Sequence, residues 1–506
     1  MRRAAIVLTL IAAGRVAFAQ PEPAPPAEGE GAGSAQAPEP APPPAAPPAP
    51  PTVTPVRVDP PPPAMPPEPE TAPAANTGFR FGSYGRVIAG SDLRGGKPQA
   101  ENVVAHGPRI VEPSYLELDF SFGFTTKRGL VLRPVITLAF NGTLFHDTGE
   151  FDAQPALRNM FLDAQVTKQL TAWVGSRMYR GDDIYLFDYW PLDDLNTVGG
   201  GLFFKQSALE IAAHAGFNRL LTPFQYQEIE VPNPAQGATT VVQLNRQRMI
   251  ASATGAYIDD GGRGGLSLKA KLHGEVHALP SGTRQREGGS DFEALPSDSG
   301  FLIGAEVGAF GMSTEKLHRR HLNGFVRYAK GLAAFDELAP PTSFGTDLKT
   351  NRASELTFGL SGNWDHAFAN VMLGALSRRF VDADPDSVDH DDGWEYAVNV
   401  RPLAHLGREV FAGVDLSYQA RFPRGLNQTT QRAEDPAVLQ IAPMLVYSPM
   451  GPSAYDRPQL RLVYRAANRN EAALHEYVPG DPRGRHAWTH FLGFQAEWWF
   501  NSSTYR

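Results

Sequence analysis

Trp488–Phe500 reads WTHFLGFQAEWWF. Leu492, Phe494, Ala496, Trp498 and Phe500 fall on its even positions, and Gly493, Gln495, Glu497 and Trp499 on its odd ones. A period of two sends these sets to opposite faces of a strand, one greasy and rich in aromatics, the other carrying an amide, a carboxylate and one indole. A soluble sandwich strand also alternates. A strand of a transmembrane barrel needs an apolar outward face, aromatics at the interfaces and a polar interior, and this stretch meets all three.

Working outward, the chain has 506 residues, no cysteine and a formal charge of −8, with 42% hydrophobic residues. No run long enough for a membrane helix, about eighteen apolar residues, follows the first twenty positions, so crossing by helices is not expected. A barrel stays open to the chain, because half of each strand is polar. Without cysteine there is neither a disulfide framework nor a thiolate metal site. The acidic balance argues against a nucleic-acid partner.

Residues 1–19 read as a signal peptide: Arg2 and Arg3 start it, 4–13 is apolar, and Ala17-Phe18-Ala19 before Gln20 is an A-x-A cleavage site. Export is therefore expected. Residues 20–77 hold 22 of the 45 prolines, with Ala and a few Glu between them. Such a segment buries too little apolar surface to fold and favours polyproline II, as a disordered periplasmic linker. At about 3.1 Å per residue its contour approaches roughly 180 Å. It reads either as a spacer reaching the cell wall or as a tail without a specific partner.

From Gly78 to the end, 78–506, the texture is that of an outer-membrane β-barrel domain. In 115–124, Leu116, Leu118, Phe120, Phe122 and Phe124 share one face, and Tyr115, Glu117, Asp119 and Ser121 the other. Similar runs occur at 79–90, 130–140, 170–179, 266–276, 325–332, 355–364, 371–379, 396–402, 410–420, 439–447 and 460–466, divided by turns rich in Gly, Pro, Asp and Asn. Some connections are long and polar, such as 284–300 and 382–394; others are a few residues. The pattern predicts an all-β transmembrane antiparallel barrel of about sixteen to eighteen strands, wide enough for an aqueous channel and surrounded by outer-membrane lipid.

The faces predicted to line that channel pair aromatics with charges: Tyr84 with Arg86, Tyr115 with Glu117, Trp499 with Glu497. Pyranose rings stack their C–H faces on aromatic rings while their hydroxyls bond charged groups at the edge, so an oligosaccharide is one candidate solute. The same aromatics also read as interfacial girdle residues, which is where most barrel aromatics sit.

Several segments resemble the maltoporin family. They are Ala156-Leu157-Arg158, then Trp173-Val174-Gly175-Ser176-Arg177-Met178-Tyr179, Asp183-Ile184, Phe187-Asp188-Tyr189-Trp190 and Gly199-Gly200-Gly201. Gly82-Ser83-Tyr84-Gly85-Arg86, Asn323-Gly324-Phe325-Val326-Arg327-Tyr328-Ala329, Val400-Arg401-Pro402, Tyr455-Asp456-Arg457-Pro458-Gln459-Leu460-Arg461 and Glu497-Trp498-Trp499 follow the same pattern in order across 78–500. The resemblance implies an 18-stranded, homotrimeric outer-membrane channel for facilitated diffusion of maltose and maltodextrins. It implies an aromatic slide of Tyr84, Tyr115, Phe151, Tyr455 and Trp499, with aliphatic Ile303 on the remaining rung. It also implies a polar track of Arg86, Arg109, Glu117, Arg158, Asp183 and Asp188, with Trp190 at the constriction. Gly181 stands where the family has another track arginine, and Arg180 is adjacent. Trp190 for tyrosine and Tyr455 for tryptophan depart from the family and could move the preference toward sucrose or another oligosaccharide. The proline-rich arm is not part of the family pattern, and Asn501–Arg506 extend past the aromatic at which such barrels normally stop.

Other constellations are weaker. The run DADPDSVDHDDGW at 382–394 has carboxylates for Ca²⁺ but lacks the EF-hand register, and a solvated loop is the favoured reading. His318, Arg319, Arg320 and His321 read as an exposed turn, so no metal ligand and no cofactor are expected. An enzyme in a barrel wall would need a nucleophile beside a base; no G-x-S-x-G occurs and no compact Ser/His pairing stands out, so no enzyme is expected. A general or anion-type porin without a slide is the remaining alternative.

Overall fold

The computed structural model describes residues 77–142, 144–149, 153–259, 265–311, 320–384 and 389–501. The predicted signal peptide, residues 20–76 of the proline-rich segment, Phe151 and residues 502–506 lie outside them.

Eighteen strands form one antiparallel sheet. It closes on itself: Gly78–Ser91 pairs on one side with Tyr115–Thr125 and on the other with Trp488–Phe500, in a register that sets Tyr84 opposite Glu117 and Trp499. Every inter-strand hydrogen-bonding edge of the barrel is thereby used, which is the condition for spanning hydrocarbon with strands. Among the described residues no helix is long and apolar enough to cross a membrane.

The predicted runs correspond to barrel strands. The five strands that the period did not single out are Pro155–Gln165, Asp194–Gln206, Leu209–Asn218, Arg248–Asp259 and Asp298–Gly311. The connection expected at 284–300 is in part a small hairpin, Gly282–Gln285 with Phe292–Leu295, and its end already belongs to the next barrel strand. A second hairpin, Tyr226–Asn233 with Gly237–Asn245, stands in the 219–247 loop. Turns at one rim are short, as at 166–169, 207–208 and 366–368. Loops at the other are long, as at 92–114, 181–193 and 470–487.

Polarity is inverted relative to a soluble protein. The exposed side chains on the strands are Leu, Val, Phe, Ile and Tyr, with Leu272 70% exposed, while Glu275, Glu306, Thr357, Asn399, Gln419 and Gln440 are buried inside. An apolar belt outside and polar groups inside are what lipid contact demands.

Two long loops turn into the barrel. Ile110 and Val111 of 92–114 pack with Leu403, Phe411 and Phe491, and Ile184, Phe187, Tyr189 and Leu192 of 181–193 pack with Phe325, Leu376 and Ala397. The loops are tied together where the Arg109 amide donates to the Leu186 carbonyl at 2.8 Å. Wall glycines admit them: a Cβ on Gly374 would meet Ile184, Leu186 and Phe187 at 3.2–3.3 Å.

Ile303 departs from its expected place. It lies with Phe301 and Val307 on the outward face, 56% exposed, while its neighbours Leu302 and Glu306 point inward. It cannot be a rung of a lumen slide, because the alternation of Asp298–Gly311 gives the lumen the even positions. Ile303→Arg would put a cation on the lipid face, and a destabilisation of about 2–4 kcal/mol is expected near the midplane. Equilibrium refolding into lipid vesicles measures it; an unaffected stability would return Ile303 to the interior.

Candidate functional site

The site is the interior at the level of the two inward loops. Its hub is Glu497, 3% exposed on the last strand. Its carboxylate accepts from Arg109 at 3.1 Å, Arg457 at 2.9 Å, Arg461 at 2.8 Å and the Tyr185 hydroxyl at 2.6 Å. Arg109 also donates to the Tyr84 hydroxyl at 3.0 Å and to Glu112 at 2.7 Å. Charge-assisted bonds from several guanidiniums to one carboxylate are the geometry in which a buried charge is satisfied.

Beside the hub, Arg86 pairs with Asp188 and Glu112, each at 3.1 Å. Arg158 reaches Glu117 and the Tyr115 hydroxyl. It does so from a β-bulge: the pairing of Val131–Asn141 with Pro155–Gln165 slips between Thr137 and Leu138, leaving Arg158 as the extra residue turned to the same side as Asn159. Re-aiming one side chain is what a bulge does. Asp188 holds a left-handed conformation, φ 51°, closing the turn Tyr185–Phe187.

Aromatics interleave with these charges. Tyr84 and Tyr115 lie 6.0 Å apart, and the guanidiniums of Arg86 and Arg158 stand 5.4 and 5.6 Å from the Tyr115 ring. Tyr185 meets Tyr455 edge-on at 5.5 Å and Trp499 at 6.2 Å, and Arg457 lies 4.1 Å over the Trp499 ring. Thus Tyr84, Tyr115, Tyr455, Trp499, Arg86, Arg109, Glu117, Arg158 and Asp188 are brought into one region.

Tyr455 also borders a cavity of about 800 Å³ on the neighbouring wall. Asp183, Arg177, Arg180, Lys269, Lys271 and His321 are among its other lining residues. Lys269 and Lys271 bind Asp182 at 2.9 and 2.7 Å. Arg177 stands 4.9–5.3 Å from the rings of Phe161, Trp173 and Tyr179. Trp190, expected at the constriction, is buried with Arg180 3.6 Å over its indole, and Arg180 lines the cavity. A Cβ at Gly181 would meet the Asp193 carboxylate, which would have to move aside. Arg180 therefore supplies the cation next to that position.

The loop carboxylates differ in charge state. Burial, reinforced by Asp188 and Asp182, pushes Asp183 up to about 7 against the pull of Arg109. Burial would raise Asp188 as well, but Arg109, Arg86 and Arg180 outweigh it and hold it below the usual range.

A sequence profile of LamB porins matches residues 79–500. The chain belongs to the LamB porin family. Membership makes it an outer-membrane, porin-type barrel and not an enzyme. Comparison with curated proteins finds no match. Among solved structures it is similar to the outer-membrane channel DcaP of Acinetobacter baumannii, at 11% identity over 84% of this chain and 98% of that one, with a TM-score of 0.43. OpdK of Pseudomonas aeruginosa, solved with vanillate, matches at 11% identity over 83% and 98%, TM-score 0.39. OmpT of Vibrio cholerae matches at 10% over 83% and 97%, TM-score 0.37. Similarity this low bears on no substrate.

Two groups in this LamB-family interior are missed by sequence reasoning. Arg457 and Arg461 lie inside the quoted motifs and Tyr185 falls between two of them, but the motifs assign none of the three a role. Lys269, Lys271, His273, Glu275 and His277 occupy every second position of Leu266–Leu279, and that face was legible.

Two outcomes follow. Glu497→Ala strands three guanidiniums and should cost about 3–5 kcal/mol, seen as a lower urea midpoint for the refolded barrel. Asp183 has a raised pKa, so it is neutral below about 7 and gains its charge as pH rises through it. Reversal potentials under a KCl gradient should therefore move toward K⁺ between about pH 6 and 8. An equal shift in Asp183→Asn would remove Asp183 as the cause.

Proposed function

We propose that this LamB-family barrel is a passive channel for neutral oligosaccharides of the maltodextrin type. The observation that supports this reading is the interleaving of Tyr115, Tyr455 and Trp499 with Arg86, Arg457, Glu497 and Asp188 in the interior. A pyranose offers C–H faces to the rings and hydroxyls to the charges, and no bound counter-charge is needed from it. Several weak, successive contacts suit passage, since a solute must be recruited and still released. We further read the chain as exported by residues 1–19, as carrying residues 20–77 in the periplasm and as assembling into a homotrimer, with Phe151 offered to a neighbouring pore.

One observation favours a general porin instead. The slide is short: Ile303 faces outward, Tyr84 is 5% exposed, and Tyr185 and Arg457 already cover part of Trp499. Single-channel conductance separates the two, titrated with maltotriose, sucrose and an uncharged non-sugar of similar size. The sugar channel shows saturable block by one sugar only. Tyr115→Ala or Trp499→Ala should weaken that block about 2–10-fold, the equivalent of one lost aromatic contact of about 0.5–1.5 kcal/mol. A channel blind to every sugar means general diffusion.

A further inference from the structure

The connection between Ala369–Val381 and Gly393–His405 stands on the long-loop rim. Its two ends are stapled: the Asp382 amide donates to Asp392 Oδ1 at 2.7 Å, and the Asp392 amide to Asp389 Oδ1 at 3.2 Å. Neighbouring segments hold it from outside. The Arg424 amide donates to the Asp392 carbonyl at 2.9 Å, and His390 Nε2 bonds Glu476 at 2.9 Å.

Within this turn Asp382, Asp384 and Asp389 each bring a carboxylate oxygen within 4.8 Å of the other two. Acidic groups gathered on a surface need no ion. Here, however, Asp382 is 2% exposed. Its Oδ1 accepts from the Asp384 amide at 3.0 Å, and the Ser343 hydroxyl lies beside the carboxyl. Its Oδ2 is buried and accepts no hydrogen bond among the described residues. Asp392, 0% exposed, has a second buried Oδ2 without a partner there. Buried carboxylate oxygens are normally paired or coordinate a metal.

The geometry points to a divalent-cation site, selective for Ca²⁺, formed by Asp382, Asp384 and Asp389 in the loop that follows Ala369–Val381. The ligand set is all hard oxygen, the chemistry of Ca²⁺ and Mg²⁺. Ligand number decides between them. Ca²⁺ takes about six to eight oxygens in a flexible geometry, whereas Mg²⁺ keeps several waters and binds through one or two carboxylates. Three protein carboxylates with oxygens all within 4.8 Å of one another fit the larger ion. The bound ion neutralises the clustered carboxylates. The site is independent of the sugar reading.

The test is isothermal titration of the full chain, refolded in detergent without lipopolysaccharide and stripped with a chelator, with CaCl₂ and separately MgCl₂. Saturable uptake of one Ca²⁺ per chain is expected, with a Kd of about 10⁻⁴–10⁻³ M as in extracellular sites, and at least about tenfold weaker Mg²⁺ binding. Asp384 and Asp389 are only partly buried, so Asp384→Asn with Asp389→Asn should keep the fold, checked by heat-modifiable migration, and should abolish the isotherm. Absence of Ca²⁺ uptake at about 10 mM, well above that range, would overturn the proposal. So would an undiminished isotherm in the folded double variant, or equal binding of Mg²⁺.

Discussion

A chain that crosses hydrocarbon as strands must pair every backbone donor and acceptor at membrane depth, and the seam between Gly78–Ser91 and Trp488–Phe500 is where this barrel meets that demand. Without the seam both strands are open edges, and an open edge in lipid is not viable. The register of the seam does more than close the sheet. It sets Arg86 beside Glu497 and Tyr84 beside Trp499, so the backbone pairing that makes the molecule stable in the membrane also assembles its interior chemistry.

That interior is a network of buried charges rather than an open tube of water-facing ones. Arg109, Arg457 and Arg461 share one carboxylate, and Arg86 and Arg158 hold Asp188 and Glu117. Each ion is stable there only because its neighbours satisfy it. The inward loops depend on the same bonds, since Tyr185 and Arg109 reach Glu497 from them. Positioning of the aromatic rings is therefore electrostatic as much as steric.

The period of two was sufficient for the faces it touched. Tyr84, Tyr115 and Trp499 stand inside because odd and even positions of a strand cannot both do so. The strands that escaped notice are those whose sequence carries the period faintly. Asp194–Gln206 runs through Gly199-Gly200-Gly201, and Leu209–Asn218 through Ala212-Ala213 and Ala215-Gly216, where neither face declares itself. Motif likeness misplaced Ile303 because likeness carries no parity of its own: one residue of slip exchanges lumen for lipid. Loops have no period at all, so the burial of Trp190 under Arg180 and the reach of Tyr185 were beyond pattern reading. Arg158 needed a bulge, which sequence alternation does not mark.

The place of Glu497 on a seam strand couples closure to charge. The guanidiniums of Arg109, Arg457 and Arg461 all belong to segments other than Trp488–Phe500. Their shared carboxylate comes from the strand that shuts the sheet against Gly78–Ser91. Without that strand Arg109 keeps Glu112, but the carboxylate common to all three is gone. Sealing the wall and neutralising the interior therefore draw on the same strand, and a barrel open at this seam is also one whose inner charges are unbalanced.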